Sequence, residues 1–197
     1  FWRRQRIATS CSGDRAGRKT PMKKSKGKRK MIYVYVLLGL VLGLGLVVQV
    51  GGMMLPVKHR ASLSRVISAS PERVWAVLTD VEGHPQWRKD LNSIRVVSKE
   101  PLAWIESSSF GEIPIRVEES EAVKRLVTRI DGAKLPFGGT WTYDLAPEGT
   151  GTKLTIKEDG EVYPPMFRFL SNFIFGHTKT IEGVLNQLEA HMAKENR

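Results

Sequence analysis

The stretch S-P-E-R-V-W-A-V-L-T-D-V-E-G-H-P-Q-W, residues 70–87, carries the signals that start a helix and end it. Ser70 is a good N-cap, and Pro71 occupies the first helical position, where its missing N–H costs nothing. Apolar residues then recur at helical spacing on one wide face, at Val74, Trp75, Val77, Leu78 and Val81. Gly83, followed two residues later by a proline, predicts the end of the helix and leaves Trp87 in a loop.

Segments on both sides of this helix alternate apolar and polar residues, which is typical of half-buried antiparallel strands. The predicted strands cover residues 57–67, 93–98, 103–110, 112–119, 125–130, 140–145 and 152–158. Short turns, such as P-E-G-T-G at residues 147–151, join the later strands without an intervening helix. This order predicts an antiparallel meander and argues against a parallel βαβ architecture.

The C-terminal part of the chain has the pattern of one long helix that begins at Pro164 and Pro165 and runs to about Ala193. Its apolar residues recur at three- and four-residue steps, at Phe167, Leu170, Ile174, Ile181, Val184, Leu185, Leu188 and Met192. A helix of about 30 residues is about 45 Å long, and it can bury such a stripe only in the concavity of a curved sheet.

An apolar segment precedes the predicted domain. Residues 31–48 contain no charge and no proline, and the apolar character continues to Leu55. About 20 such residues cross the roughly 30 Å hydrocarbon core of a bilayer, so residues 31–55 are predicted to form a transmembrane anchor. Cleavable signal peptides have shorter apolar regions of about 7–15 residues, which favours an uncleaved anchor. Gly39 and Gly43 form a G-x-x-x-G pair that could support a weak dimer.

The basic charge of the chain is confined to its N-terminal tail. Residues 1–30 hold 12 of the 31 lysines and arginines and one of the 20 acidic residues, and the remainder holds 19 of each. We therefore expect a disordered basic tail and a formally neutral domain at residues 56–197, with no nucleic-acid partner. The positive-inside rule places the N-terminus in the cytoplasm and the domain on the outer face of the membrane. Met22 and Met31 are the candidate start codons, and translation from Met22 would leave residues 1–21 untranslated.

Several motifs resemble a known family: S-P-E-R-V-W-A-V-L-T-D at residues 70–80, H-P-Q-W at 84–87, L-P-F-G-G-T-W-T-Y at 135–143, G-T-K-L-T-I-K-E-D-G-E-V at 151–162 and F-R-F-L at 167–170. With them the chain resembles the START-like or SRPBCC superfamily, in particular its polyketide cyclase/dehydrase group, from about Val57 to Ala193. The resemblance implies an α+β helix-grip fold, with a curved antiparallel sheet of about seven strands around a long C-terminal helix, here preceded by one transmembrane helix.

A helix-grip fold implies a ligand cavity between the sheet and the long helix, mostly apolar with a few polar groups. The strand and helix periods select residues to line it: Trp104, Phe110, Ile115, Leu126, Ile130, Trp141, Tyr143, Phe167, Phe173 and Ile174. The same residues could instead form a dry core. We expect Trp87 to lie at the mouth of the cavity and Trp75 to belong to the core.

Glu158 is the strongest candidate for a catalytic residue among the ionisable side chains. In the alternating strand pattern it falls on the same inward face as Leu154 and Ile156. A carboxylate in an apolar cavity needs a partner, and Arg168 and His177 on the predicted helix are candidates. Such a pair could act as a general acid or base, or it could be a structural ion pair or exposed where the strand ends.

No motif in the sequence indicates a metal or a cofactor. The single cysteine, Cys11, excludes an intramolecular disulfide and a cysteine-based zinc site, and the four histidines lack ligand spacing. Three functions remain open. The first is a membrane-tethered domain that binds a lipid or another apolar small molecule, the second is a cyclase or dehydratase with an acid/base residue in the cavity, and the third is a protein-interaction domain at the membrane.

Overall fold

The computed structural model describes residues 26–109, 111–132 and 134–195. Its helices are α1 (Lys26–Met54), α2 (Pro71–Thr79), α3 (His84–Trp87), α4 (Pro165–Leu170) and α5 (Lys179–Glu195), with a 3₁₀ turn at Val81–Gly83 and a π turn at Ser171–Phe175. Its strands are β1 (Lys58–Ile67), β2 (Leu91–Lys99), β3 (Leu102–Ser108), β4 (Gly111–Glu121), β5 (Arg125–Ile130), β6 (Phe137–Glu148) and β7 (Gly151–Val162).

The seven strands form one antiparallel sheet in the order β1-β7-β6-β5-β4-β3-β2. β1 pairs with β7 in continuous register from Lys58 opposite Glu161 to Ile67 opposite Thr152, so the first and last strands are neighbours. A register shift between Val117 and Glu119 interrupts β4, and such bulges bend a strand locally. The predicted α+β helix-grip fold, with its seven-stranded antiparallel meander, is confirmed.

Helix α1 contains the predicted apolar segment. Residues Lys30–Met54 are long and apolar enough to cross a membrane by length and composition. The helix ends at Met54, two residues before Pro56, as the sequence predicts. The division of the chain into compact units falls inside this helix, between Leu42 and Gly43.

The stretch at residues 70–87 begins as predicted and ends differently. The Ser70 hydroxyl oxygen accepts a hydrogen bond from the Arg73 N–H, and α2 carries Val74 and Leu78 into the core. The helix stops at Thr79, where Asp80 accepts the Gly83 N–H at 3.2 Å and holds the 3₁₀ turn. The proline that we expected to end the helix instead lies in the first turn of α3, a position that proline favours. Trp87 therefore ends a short helix and does not lie in a loop.

The C-terminal segment is not one continuous helix, which corrects the predicted bounds. Helix α4 passes into the π turn, and Gly176 then adopts a φ of 72°, in the left-handed region that favours glycine. Its N–H donates to the carbonyl oxygen of Ser171 at 2.9 Å, closing the turn. The long helix of the fold is α5, which begins at Lys179.

Helix α5 closes the core over one side of the sheet. It packs against β1 and β7. The buried core joins the sheet, α5 and α2. It includes Ile67, Val74, Leu78, Leu145, Leu154, Ile156, Ile181, Val184, Leu185, Leu188 and Met192. Thr152 is buried beside them, and its hydroxyl donates to the Ala69 carbonyl oxygen at 2.7 Å. The buried polar group is thus satisfied where the sheet meets α2.

Replacing Leu188 by alanine should lower the free energy of unfolding by about 2–5 kcal/mol, because the side chain is fully buried between α5 and the sheet. Urea unfolding of the full chain in a mild detergent, followed by circular dichroism, measures this loss. Lys194→Ala, at an exposed position of the same helix, is the control and should change little. Equal effects of the two changes would contradict the packing described for α5.

Candidate functional site

The concave face of the sheet is fully buried under α5 and only partly buried at several positions of β4, β5 and β6. Leu154 and Ile156 of β7 face inward and are fully buried. Cross-strand pairing carries the same face from Ile156 to Tyr143 of β6. Further along this face, an apolar inner strip remains partly exposed and consists of Ile113, Ile115 and Val117 of β4, Ile130 of β5 and Trp141 of β6. Apolar side chains facing a concavity without being buried form the lining that a ligand pocket needs.

A buried ion pair adjoins the inner strip. Glu106 of β3 shares its face with Trp104 and is 4% exposed. Its Oε1 accepts from Arg88 Nη1 at 2.9 Å and from Trp104 Nε1 at 3.2 Å. Arg88 follows α3, and its Nη2 also donates to Asp90 Oδ2 at 2.6 Å. Because a buried charge is costly without a partner, these hydrogen bonds are what allows Glu106 to face the apolar concavity.

Tyr143 lies between the ion pair and the core, and its ring is tilted against Trp141 with centroids 6.2 Å apart. Burial raises the pKa of the Tyr143 phenol, Arg88 lowers it, and the nearby carboxylates raise it again. The net shift is well above the ordinary value. The hydroxyl is therefore protonated at neutral pH and can donate a hydrogen bond.

Arg88 and Asp90 each stabilise the charged form of the other. Burial alone lowers the pKa of Arg88, but Glu106 and Asp90 outweigh it and raise that pKa above its ordinary value. Burial likewise raises the pKa of Asp90, and the hydrogen bond from Arg88 lowers it below its ordinary value. Both groups are thus charged at neutral pH. Gln187 of α5 donates to Asp90 Oδ1 at 3.5 Å, which links the cluster to the covering helix.

Glu158 lies on the same face, as its parity predicts, and its partner is His59 of β1. His59 Nε2 is 3.5 Å from Glu158 Oε1, and both side chains are largely shielded from solvent. His177 stacks on His59 with ring centroids 4.0 Å apart. Gly160 leaves room for this cluster, because a Cβ there would clash with the His59 imidazole. Burial lowers the pKa of His177, His59 lowers it further, and Glu158 acts in the opposite direction.

Arg168, the other predicted partner of Glu158, has a different role. Its Nη1 donates to the carbonyl oxygen of Leu55 at 2.8 Å, directly after α1. Arg168 and His177 nevertheless line the same small cavity of about 40 Å³, together with His59 and Ser171. Of the three predicted catalytic candidates, the structure thus brings Glu158 and His177 to one cluster and directs Arg168 to the end of α1.

The predicted lining residues fall into three groups. Ile115, Ile130, Trp141 and Tyr143 lie in or beside the inner strip and are partly exposed. Trp104 and Leu126 are buried on the same face, whereas Phe167, Phe173 and Ile174 are exposed on α4 and the π turn. Phe110 lies outside the described residues.

Trp87 is 7% exposed and belongs to the core, with its ring stacked near His191 at 6.3 Å. Its place is therefore not the mouth of a cavity.

Sequence reasoning missed three residues of the site. Glu106 is two residues from Trp104 in a strand, so the inward parity of Trp104 could have identified it. His59 has the parity of Ala61 and Leu63 in β1, which gives the same signal. Arg88 had no such signal, because its direction depends on the short helix α3, which the sequence did not predict.

A second depression, of about 660 Å³, lies on the convex face and is less suited to an apolar ligand. Charged side chains dominate its lining, and they form ion pairs on the sheet surface. Arg60 Nε is 2.5 Å from Asp159 Oδ1, and Arg129 Nε is 2.7 Å from Glu118 Oε1. These exposed pairs are the ordinary covering of a solvated sheet face.

His84 is buried next to the site, between α2 and the ring of Trp87. Its Nε2 is 3.1 Å from the Leu78 carbonyl oxygen, and since a carbonyl can only accept, the neutral ring carries its proton on Nε2. Burial lowers the pKa of His84 to about 4, with the Leu78 hydrogen bond acting in the opposite direction. The native protein thus holds this imidazole neutral at neutral pH.

The family model described as polyketide cyclase / dehydrase and lipid transport matches residues 58–193. A START superfamily protein from Mycobacterium smegmatis is similar at a TM-score of 0.58 and 19% identity, covering 69% of this chain and 98% of that one. The protein TTHA0849 from Thermus thermophilus is similar at 0.58 and 22%, with coverages of 71% and 100%. A point mutant of norcoclaurine synthase from Thalictrum flavum, in complex with a transition state analogue, is similar at 0.57 and 11%, with coverages of 72% and 98%.

At these identities the solved structures establish a shared fold. A search of curated proteins finds no match to this sequence.

Replacing Arg88 by methionine should lower the free energy of unfolding by about 3–5 kcal/mol, because it leaves the Glu106 carboxylate buried without its cation. The double variant Arg88→Met/Glu106→Leu should recover part of this loss, since both buried charges are then removed. Urea unfolding of the four members of the cycle measures the coupling. Lys124→Met, which breaks an exposed pair with Glu121, is the control and should change little. Additive effects at Arg88 and Glu106 would contradict the ion pair.

Stability should fall on acidification in a way that depends on His84. The unfolded imidazole has its ordinary pKa of 6.5, and the folded one has a pKa of about 4. The unfolded state therefore binds the proton first, and stability present above pH 6.5 is lost as the pH falls towards 4, by on the order of 3 kcal/mol. Urea unfolding at several pH values should show a shallower loss for His84→Gln than for the unaltered chain. Parallel curves would rule His84 out as the source.

Proposed function

The chain belongs to the polyketide cyclase / dehydrase and lipid transport family, and we propose that it binds an apolar small molecule or lipid on the concave face of its START-like sheet while α1 holds it at a membrane. The observation that carries this proposal is the inner strip. Its side chains face the concavity and are only partly buried, whereas the corresponding residues under α5 are fully buried. When an apolar ligand covers such partly exposed apolar side chains, both surfaces leave water, and this burial provides binding free energy.

The polar groups beside the strip restrict the chemistry of the ligand. Tyr143 offers a neutral hydroxyl, and the charges that act on it are one cation and three carboxylates, from Arg88, Glu106, Glu158 and Asp90. This excess of negative charge disfavours an anionic group on the ligand. The site therefore suits a molecule with an apolar body and a neutral oxygen, such as a hydroxyl or carbonyl group, that can accept from Tyr143.

Binding is supported better than catalysis because the two shielded carboxylates of the inward face, Glu106 and Glu158, are each engaged by other side chains. Glu106 is engaged by Arg88 and Trp104, and Glu158 is engaged by His59. A general acid or base must reach the proton that it transfers, and these pairs occupy the carboxylates. The cyclase and dehydrase part of the family description is the basis of the enzymatic alternative, for which the Glu158 and His177 cluster supplies the candidate residues.

Attachment to a membrane is supported by the length and composition of residues Lys30–Met54. A signal sequence has similar properties, and the uncleaved anchor is favoured here by the length of the apolar run. The basic residues on its N-terminal side favour a cytoplasmic N-terminus, with the ligand-binding domain on the outer face. Such a domain would meet apolar molecules where they are concentrated, at the membrane surface.

The segment of residues 57–197 should retain an apolar ligand through purification, and native mass spectrometry should detect it. Ile130→Trp should weaken the binding of a fluorescent sterol or acylglycerol probe by about tenfold or more, because the larger ring fills the inner strip. Val97→Trp places the same ring at an exposed position of β2 and is the matched control. An empty segment, or equal binding by the two variants, would reject the proposed site.

A further inference from the structure

The last turn of α1 packs against the backbone and side chains of α4. Gly52 lies against the backbone of Pro165 so closely that a Cβ there would clash with the Pro165 carbonyl oxygen. One residue earlier, a Cβ at Gly51 would lie 3.0 Å from the Phe169 ring. Arg168 adds its hydrogen bond to Leu55, which satisfies a carbonyl just beyond the helix. Two adjacent glycines and an arginine thus hold the backbone of α4 in contact with the last turn of the apolar helix.

An apolar surface extends outward from this contact. The α4 patch consists of Met166, Phe167, Phe173 and Ile174, which are 47%, 44%, 63% and 58% exposed. Phe169 connects the patch to α1, because its ring packs against Phe173 with centroids 4.8 Å apart. A contiguous exposed apolar patch marks an interaction surface, whereas single exposed residues such as Val97 need no explanation.

The contact with Gly51 and Gly52 fixes the depth of this patch relative to the C-terminal end of the apolar segment. Gly51 lies inside the segment Lys30–Met54, three residues from its end. At 1.5 Å per residue, this is about 5 Å below the level at which the segment ends. Phe169 touches Gly51, and Phe173 touches Phe169. Phenylalanines on the apolar face of an interfacial helix lie at this level of a bilayer, about 5–10 Å deep.

We propose that the α4 patch inserts into the interfacial layer of the same bilayer that α1 spans. The partner is the lipid surface itself, because any object that covers Phe173 must also fit around the end of α1. The inference rests on the proposed membrane attachment and adds a second point of contact to it. The C-terminal segment then does more than close the core: α5 covers the sheet, and α4 with the π turn lies on the membrane.

Fluorescence quenching in proteoliposomes tests this with the full chain. Cys11 is replaced by serine, and single cysteines at Phe173→Cys, Leu44→Cys and Val97→Cys carry an environment-sensitive NBD label. The vesicles are phosphatidylcholine with or without nitroxide-labelled lipid. We expect the Phe173→Cys label to lose most of its emission when nitroxides lie near the interface. The Leu44→Cys label should be quenched by nitroxides at the bilayer centre, and the Val97→Cys label should be quenched by neither.

The outcomes separate this inference from the membrane attachment on which it rests. Quenching at Leu44→Cys without quenching at Phe173→Cys overturns the inserted patch and leaves the anchor standing. No quenching at either position overturns both. If the Phe173→Cys label is blue-shifted but lipid nitroxides do not quench it, protein covers the patch, and the inference is overturned as well. Equal quenching at Val97→Cys also overturns it. Phe167→Cys gives a second reading of the patch if Phe173→Cys does not fold.

Discussion

A single helix cannot cover a seven-stranded sheet, and this constraint shapes the rest of the domain. Seven strands at about 4.8 Å spacing are about 29 Å wide, whereas a helix with its side chains is about 10–12 Å across. Helix α5 has 17 residues and packs on β1 and β7, where Leu154 and Ile156 lose all exposure. Further along the inward face, Ile115 and Val117 of β4 and Ile130 of β5 remain partly exposed. The same limit that leaves apolar surface unburied creates the place where a ligand can supply the missing contacts.

The polar residues of this face are tolerated because each has a specific partner. Glu106 would destabilise the domain as an isolated buried carboxylate, but Arg88 and the Trp104 indole each donate to it. Asp90 and Gln187 connect Arg88 in turn to α5. The ion pair therefore couples β3 to the covering helix. Such a pair is weak as a source of stability, and its value lies in fixing the position of polar groups next to Tyr143.

The strands were predictable because they are periodic and the turns between them are short. Parity alone placed Tyr143, Glu158 and Ile115 on the inner face, and applied to β3 and β1 it would also have placed Glu106 and His59 there. The alternation of side chains along a strand does not predict the path of irregular segments. Pro85 is compatible with either the end of one helix or the start of another, and only the packing of Trp87 into the core decides between them. Arg88 could not be placed without that decision.

The break in the C-terminal segment follows from two demands that one straight helix cannot meet. Helix α5 must follow the sheet to bury Ile181, Leu185 and Leu188, whereas α4 must follow the end of α1, to which Gly52 and Arg168 bind it. The apolar stripe of the sequence is continuous because both halves need apolar residues, but they need them for different surfaces. The π turn and the left-handed Gly176 let the backbone change direction between the two. The exposure of Phe167 and Phe173 is thus the counterpart of the burial achieved by α5.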